Sequence, residues 1–180
     1  MLIRTAPTHA LGPDRLAAAH AMLDTAFDGS FAAEDWDHAL GGVHAWAEDE
    51  RGIAAHGSVV MRRVLHDGRS FRVGYVEAVG VRADLRRQGL GGRIMAALEP
   101  VVDATFAYGA LSASEAGAAL YAGRGWVRWP GRIETLGPTG PVRLPEDEGS
   151  VYLWRTPGRE LPDPARARTL AFDWRDGDVM

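Results

Sequence analysis

The stretch Val79-Gly80-Val81-Arg82-Ala83-Asp84-Leu85-Arg86-Arg87-Gln88-Gly89-Leu90-Gly91-Gly92 limits the folds open to this chain more than any other. A β-prone run passes through a basic turn into a glycine-rich helix start, so a strand must deliver the chain to a helix N-terminus. Free backbone N–H groups and the positive end of the helix dipole favour an anion there, and glycines let a pyrophosphate approach the main chain. Arg86 and Arg87 flank the turn and offer charge-assisted hydrogen bonds to phosphate oxygens, which suits a polyanionic nucleotide. A solvated turn with a glycine-rich helix cap accounts for the same residues without any ligand.

The rest of the chain alternates between helical and strand periodicity. Leu16, Ala19, His20, Leu23, Ala26 and Phe27 recur at three-and-four spacing, which predicts an amphipathic helix over Pro13 to Phe27. A shorter helix is expected from Ala33 to Leu40, stopped by Gly41-Gly42. From Val43 to Val81 the texture turns to Val, Ile, Ala, Phe and Tyr, predicting three antiparallel strands, the last two joined by the hairpin signal Asp67-Gly68. Helical spacing returns over Gly89 to Ala107. A short strand at Ala110 to Ser112, a helix from Ser114 to Ala122 and a strand from Trp126 follow. Pro138 to Gly149, with three prolines and two glycines, reads as loop, ahead of a strand at Ser150 to Arg155 and a proline-rich link to Pro164. The expectation is a single α/β domain, residues 1–180, with a mixed central sheet flanked by helices.

Composition narrows the chemistry. With no cysteine, disulfides, thiolate metal sites and an acyl-cysteine intermediate are excluded. All 20 basic residues are arginine, so no lysine nucleophile or Schiff base is available. A formal charge of −4 argues against nucleic acid and permits a cationic small substrate. No apolar run approaches the ~20 residues of a membrane span, and Met1 to Ala10 lacks a secretory pattern, so a cytoplasmic location away from membranes is expected. His9, His20, His38, His44, His56 and His66 show no paired metal-ligand spacing, so no metal is assigned.

Arg86-x-x-Gly89-x-Gly91 lacks the closing Gly-Lys-Ser/Thr of a Walker loop and resembles the acetyl-CoA loop of the GNAT superfamily, which likewise follows a central strand. A second resemblance lies in Ala119-Leu120-Tyr121-Ala122-Gly123-Arg124-Gly125-Trp126. Further blocks cover nearly all the chain from Phe27 onward: Asp35-Trp36, His38, Leu40-Gly41-Gly42, Gly74-Tyr75-Val76-Glu77, Gly109-Ala110-Leu111-Ser112, Pro138-Thr139-Gly140-Pro141-Val142-Arg143 and Asp173-Trp174-Arg175. These are similar to the aminoglycoside 2'-N-acetyltransferases. The resemblance implies the GNAT fold, acetyl-CoA as co-substrate, an aminoglycoside or other amine as acceptor, and a homodimer. It departs from the family pattern at Ser30, where an acid is expected, and at Met180, where an aromatic residue is expected.

In a regular strand Glu77 shares a face with Tyr75 and Val79, placing a carboxylate where alternation predicts an apolar or pocket-facing side chain. Glu77 is then either a partnered structural glutamate or a general base that takes the proton of the acceptor ammonium, since only the neutral amine attacks a thioester. The resemblance nominates Tyr121 as the general acid for the departing thiolate, beside the alternative of simple packing at a helix end. It assigns Val79, Gly80 and Val81 to the pantetheine arm, and Arg86, Arg87, Gln88, Gly89, Leu90 and Gly91 to the pyrophosphate. For the polycationic acceptor it nominates Asp35, Glu77, Ala78, Ser112, Asp147, Asp178 and Met180. The C-terminal Asp173-Trp174-Arg175-Asp176-Gly177-Asp178-Val179-Met180 sets a tryptophan beside three acids and is expected to dock and line the acceptor site. Two other readings stay open: a GNAT acetyltransferase for an endogenous amine or hydroxyl, and a non-catalytic acyl-CoA-binding protein.

Overall fold

The computed structural model describes residues 1–180. In chain order the elements are β1 (Ile3–Pro7), α1 (Thr8–Leu11), α2 (Pro13–Ala26), α3 (Ala33–His38), β2 (Val43–Asp49), β3 (Gly52–His66) and β4 (Arg69–Val81). They continue with α4 (Leu90–Thr105), β5 (Gly109–Ser112), α5 (Glu115–Gly123), β6 (Val127–Arg128), β7 (Arg132–Gly137), β8 (Gly140–Arg143), β9 (Val151–Trp154) and β10 (Thr169–Asp173). Short 3-10 turns occupy Ala83–Leu85 and Pro145–Asp147. The α/β class with a mixed sheet is as expected: β4/β5 and β10/β7 are parallel, while β1/β2, β2/β3 and β5/β9 are antiparallel. The chain forms two compact units, Met1–Val60 with Val76–Val101, and Met61–Tyr75 with Val102–Met180, and β3 and β4 contribute residues to both.

In the first unit β2 pairs with β1 on one side and β3 on the other. Pro13 opens α2 at a position where no N–H is needed. Its apolar stripe, Ala19, Met22 and Leu23, then packs with Leu11, Trp46 and Ile53. Leu23 is fully buried, worth about 1.5–3 kcal/mol of transfer free energy. The other layer is α4, whose Ile94 and Leu98 press on β3 where Gly57 leaves room: a Cβ there would lie 2.8 Å from Ile94 Cγ2 and 3.2 Å from Leu98 Cδ1.

In the second unit the strand order is β6-β9-β5-β4-β3-β10-β7-β8. The β3–β4 hairpin turns at Asp67 and Gly68, both with positive φ (48° and 69°), the geometry the Asp-Gly pair favours. The C-terminal tail is docked, as expected. Arg62, 2% exposed, donates to Asp173 Oδ1 (2.8 Å), Asp173 O (2.6 Å) and Val179 O (2.7 Å). Its guanidinium lies over the rings of Tyr75 and Phe172, and the Tyr75 hydroxyl donates to the main-chain oxygen of Met180 at 3.0 Å.

Several expectations need correction. Pro138 to Gly149 is not all loop: Gly140–Arg143 forms β8, paired antiparallel with β7 in the register Glu134↔Arg143 to Gly137↔Gly140. β8 is an edge strand, where Pro141 has no outer partner to disappoint, and Glu134 opposite Arg143 adds an opposite-charge pair. β1 and β10 lie in segments with no strand expectation, and the strand expected from Trp126 is divided into β6 and β7. The helix over Ala33 to Leu40 ends at His38. The strand carrying Glu77 is not regular: Ala78 sits in the left-handed region with φ 53°, which interrupts the two-residue period.

Candidate active site

In the first unit the end of β4 and the turn beyond it are braced by their own side chains. Arg82 donates to Asp49 at the end of β2 (3.1 Å) and to Asp84 in the 3-10 turn (2.8 Å). The Arg82 hydrogen bond holds the Asp49 carboxyl down at about 2, so this clamp is ionic throughout the neutral range. Gln88 Nε2 donates to Asp84 O at 3.1 Å. Arg86 is engaged with main-chain carbonyls, Val81 O at 3.3 Å and Ala26 O, and so ties the turn to the end of α2 instead of extending to an anion. Arg87 is exposed, with a left-handed φ of 60°, and Gly89 follows at 80°. These two turns feed Leu90, Gly91 and Gly92 into the first turn of α4, where the leading N–H groups have no helical acceptor.

The main chain before that turn is suited to an extended ligand. Pairing of β4 with β5 stops at Tyr75↔Ala110, so from Val76 to Val81 this strand edge is not taken by β5. Gly80 is buried beneath α2, where a Cβ would meet Leu23 Cδ2 at 2.7 Å. Glu77, Ala78 and Val79 are half-buried. The residues present therefore fit an acyl-CoA: an open strand edge for the pantetheine amides, then helix N–H groups and Arg87 for phosphate oxygens. Asp35, nominated for the acceptor, is half-buried at the third position of α3, where Oδ2 accepts the Ala32 N–H at 2.9 Å and caps the helix.

The second unit holds four of the nominated acceptor residues, Ser112, Asp147, Asp178 and Met180. Ser112 Oγ lies 2.8 Å from Ser150 Oγ, which donates to Asp147 O at 2.8 Å. Burial pushes the Asp147 carboxyl up to about 6, and the charges of Asp178 and Glu146 add to the effect. Asp178 Oδ1 in turn accepts the Met180 N–H at 3.1 Å. Acids that disfavour each other's charge are relieved by a bound cation. Tyr121, at the end of α5, is buried between Trp126 and Tyr152, with ring centroids at 6.3 and 6.4 Å. Burial pushes its hydroxyl up to about 12, so the phenol keeps its proton across the neutral range. No group of three or more His, Asp or Glu side chains is arranged to hold a metal ion.

This chain is 41% identical over 179 residues to the aminoglycoside 2'-N-acetyltransferase of Mycolicibacterium fortuitum, covering 98% of this chain and 90% of that one. The chain belongs to the aminoglycoside 2'-N-acetyltransferase family. It is accordingly an acetyltransferase, with acetyl-CoA as co-substrate. Residues 16–116 also place it in the family described by the nodulation protein A (NodA) model. Among solved structures it is similar to the Escherichia coli GNAT family N-acetyltransferase YhbS in complex with CoA, with a TM-score of 0.66, 17% identity, and 97% of this chain and 89% of that one covered. Escherichia coli ElaA matches at a TM-score of 0.59 and 14% identity over 88% of this chain and 99% of that one. These likenesses establish the GNAT fold for this member of the aminoglycoside 2'-N-acetyltransferase family.

One group of side chains in this acetyltransferase was missed in the sequence. His44 and His56, both fully buried, lie diagonally across β2 and β3, since Trp46 is opposite His56 and His44 is opposite Ser58. Burial lowers both imidazoles to about 4. A histidine inside each of two apolar strand runs was the available signal; metal-ligand spacing was the wrong filter for it.

Proposed function

We propose that this enzyme transfers the acetyl group of acetyl-CoA to the 2'-amino group of aminoglycosides, by direct attack in a ternary complex. Similarity to the Mycolicibacterium fortuitum enzyme over 98% of the chain carries this reading. The nominated residues supply the necessary roles. Glu77 takes a proton from the acceptor ammonium, directly or through water; the freed amine forms the C–N bond at the thioester carbon. A main-chain N–H of Val79 to Val81 supports the developing oxyanion. As the C–S bond breaks, the Tyr121 phenol gives its proton to the sulfur; the protons on Glu77 and on the new amide nitrogen pass to solvent, and the Tyr121 phenolate takes one back. A phenol at about 12 is a loaded but weak acid, so proton donation must be concerted with C–S cleavage. Asp147, Asp178 and Ser112 hold the other ammonium and hydroxyl groups of the acceptor, joined by Asp35, the Ala78 main chain and the Met180 carboxyl oxygen.

The same reading makes residues 1–180 one acetyltransferase domain, acting in the cytoplasm as a homodimer without nucleic acid or membrane, and conferring aminoglycoside resistance. No helix is long and apolar enough to cross a membrane. A second acceptor class, an endogenous amine, is favoured by Ser30, whose hydroxyl donates to Phe27 O at 2.6 Å and so is engaged locally where the family pattern expects an acid.

Release of CoA thiol from acetyl-CoA, measured with 2'-amino aminoglycosides and their 2'-hydroxy analogues, tests the proposal. Turnover is expected only with the 2'-amino compounds, and Glu77→Gln is expected to lower kcat about 10²–10⁴-fold. Equal turnover of the 2'-hydroxy compounds would assign another site on the sugar; no turnover with any aminoglycoside would overturn the acceptor assignment.

A further inference from the structure

A continuous hydrogen-bond chain crosses the core of the first unit. The Gly41 N–H donates to Thr8 Oγ1 at 2.9 Å, and Thr8 Oγ1 lies 2.8 Å from His44 Nε2. His44 Nδ1 lies 2.9 Å from His56 Nε2, and His56 Nδ1 lies 3.0 Å from Ala78 O. A carbonyl only accepts, so His56 Nδ1 carries a proton. In a neutral ring Nε2 is then an acceptor, which requires Nδ1–H on His44 and leaves His44 Nε2 to accept from the Thr8 hydroxyl. Every donor therefore points the same way, from Gly41 toward Ala78, and each bond polarises the next.

The terminus of this chain is what gives it meaning. Ala78 follows Glu77 and precedes the Val79 to Val81 edge, and it is held at a φ of 53°, a region that disfavours a Cβ. Its carbonyl is the one His56 binds. The rings are themselves fixed: Trp36 lies 5.9 Å from His56 and 6.4 Å from His44, and stacks on His20 at 5.1 Å.

We propose that His44 and His56 are positioning residues for acetyl transfer: the relay from Thr8 through both rings locks the left-handed Ala78 peptide and so aims the Glu77 carboxylate and the adjoining strand edge. This rests on the reading of Glu77 as base. A misaimed base costs rate and leaves substrate binding largely intact.

The test compares His56→Phe, which fills the space but has no N–H, with His56→Asn, whose amide N–H replaces the Nδ1–H donor. His56→Phe is expected to lower kcat about 10²-fold with both KM values within about threefold, and His56→Asn to recover most of the loss. Thermal unfolding of each variant separates this from a general loss of folded protein, and ¹⁵N NMR of the wild-type rings reads the tautomers directly. Protons on Nδ1 of both rings are expected. Wild-type kcat in His56→Phe, an equal loss in both variants, or a proton on His56 Nε2 would overturn the relay. Absence of wild-type turnover on aminoglycosides would instead overturn the acceptor reading. The ring tautomers, and variant-to-wild-type ratios on whichever amine is acetylated, would still decide the relay.

Discussion

Asp147 titrates near pH 6 in the folded chain, above its unfolded value, because burial and then Asp178 and Glu146 penalise its charge. The folded state therefore binds more protons than the unfolded state between about pH 4 and 6, and this residue's contribution makes stability fall as pH rises through that window. Asp147→Asn is expected to raise the melting temperature at pH 7 while raising the aminoglycoside KM roughly tenfold or more, the worth of one charge-assisted hydrogen bond. In the wild type, acceptor affinity should drop as pH falls below about 6, when this carboxylate becomes neutral; calorimetric titration across pH 5–7.5 checks it. Gly42 is constrained more severely, since a Cβ there would lie 1.9 Å from Val59 O. Gly42→Ala must displace backbone and should cost more than about 3 kcal/mol in denaturant unfolding, beyond the usual range for a point change.

Among the elements, α2 and the β3–β4 turn show how far patterning reaches. Helical spacing located α2 to within a residue of its end, and the Asp67-Gly68 signal located the β3–β4 turn, because both depend on local chemistry. The edge strand β8 was not legible, because what makes Pro141 acceptable is the missing outer neighbour, a tertiary fact. The same division runs through the site. The glycine-rich start of α4 was readable, whereas the capture of Arg86 by Val81 and Ala26 carbonyls depends on α2 ending beside the turn. The left-handed Ala78 gave no signal, because alanine is an uncommon occupant of that region. Leu23 lies under that strand, and Leu23→Ala is expected to cost about 2–5 kcal/mol. Its effect on kcat should exceed its effect on the acetyl-CoA KM, since Gly80 rests on the side chain that is lost.

For the whole molecule, His44 and His56 set the acid limit of stability. Both are lowered by burial to about 4 when folded, so the unfolded chain binds more protons from roughly pH 6.5 down to 4. Stability from this pair is complete above pH 6.5 and is lost as pH falls toward 4. Thermal melts between pH 7.5 and 4.5 should show that slope, and His56→Phe should make it shallower. Exposed pairs of an acid with an arginine, such as Arg143–Glu148 and Arg51–Asp84, contribute little to stability. The pair formed by Asp147 and Asp178 is the exception, because their neighbour is another acid. Two such carboxylates do not distinguish an antibiotic from any other small polyamine in the surrounding fluid. On the proposed acceptor role of these two acids, spermidine, magnesium or an amine buffer is expected to compete for the same place, making apparent drug affinity a property of the medium as well as of the enzyme, weakening steadily as salt or polyamine is added.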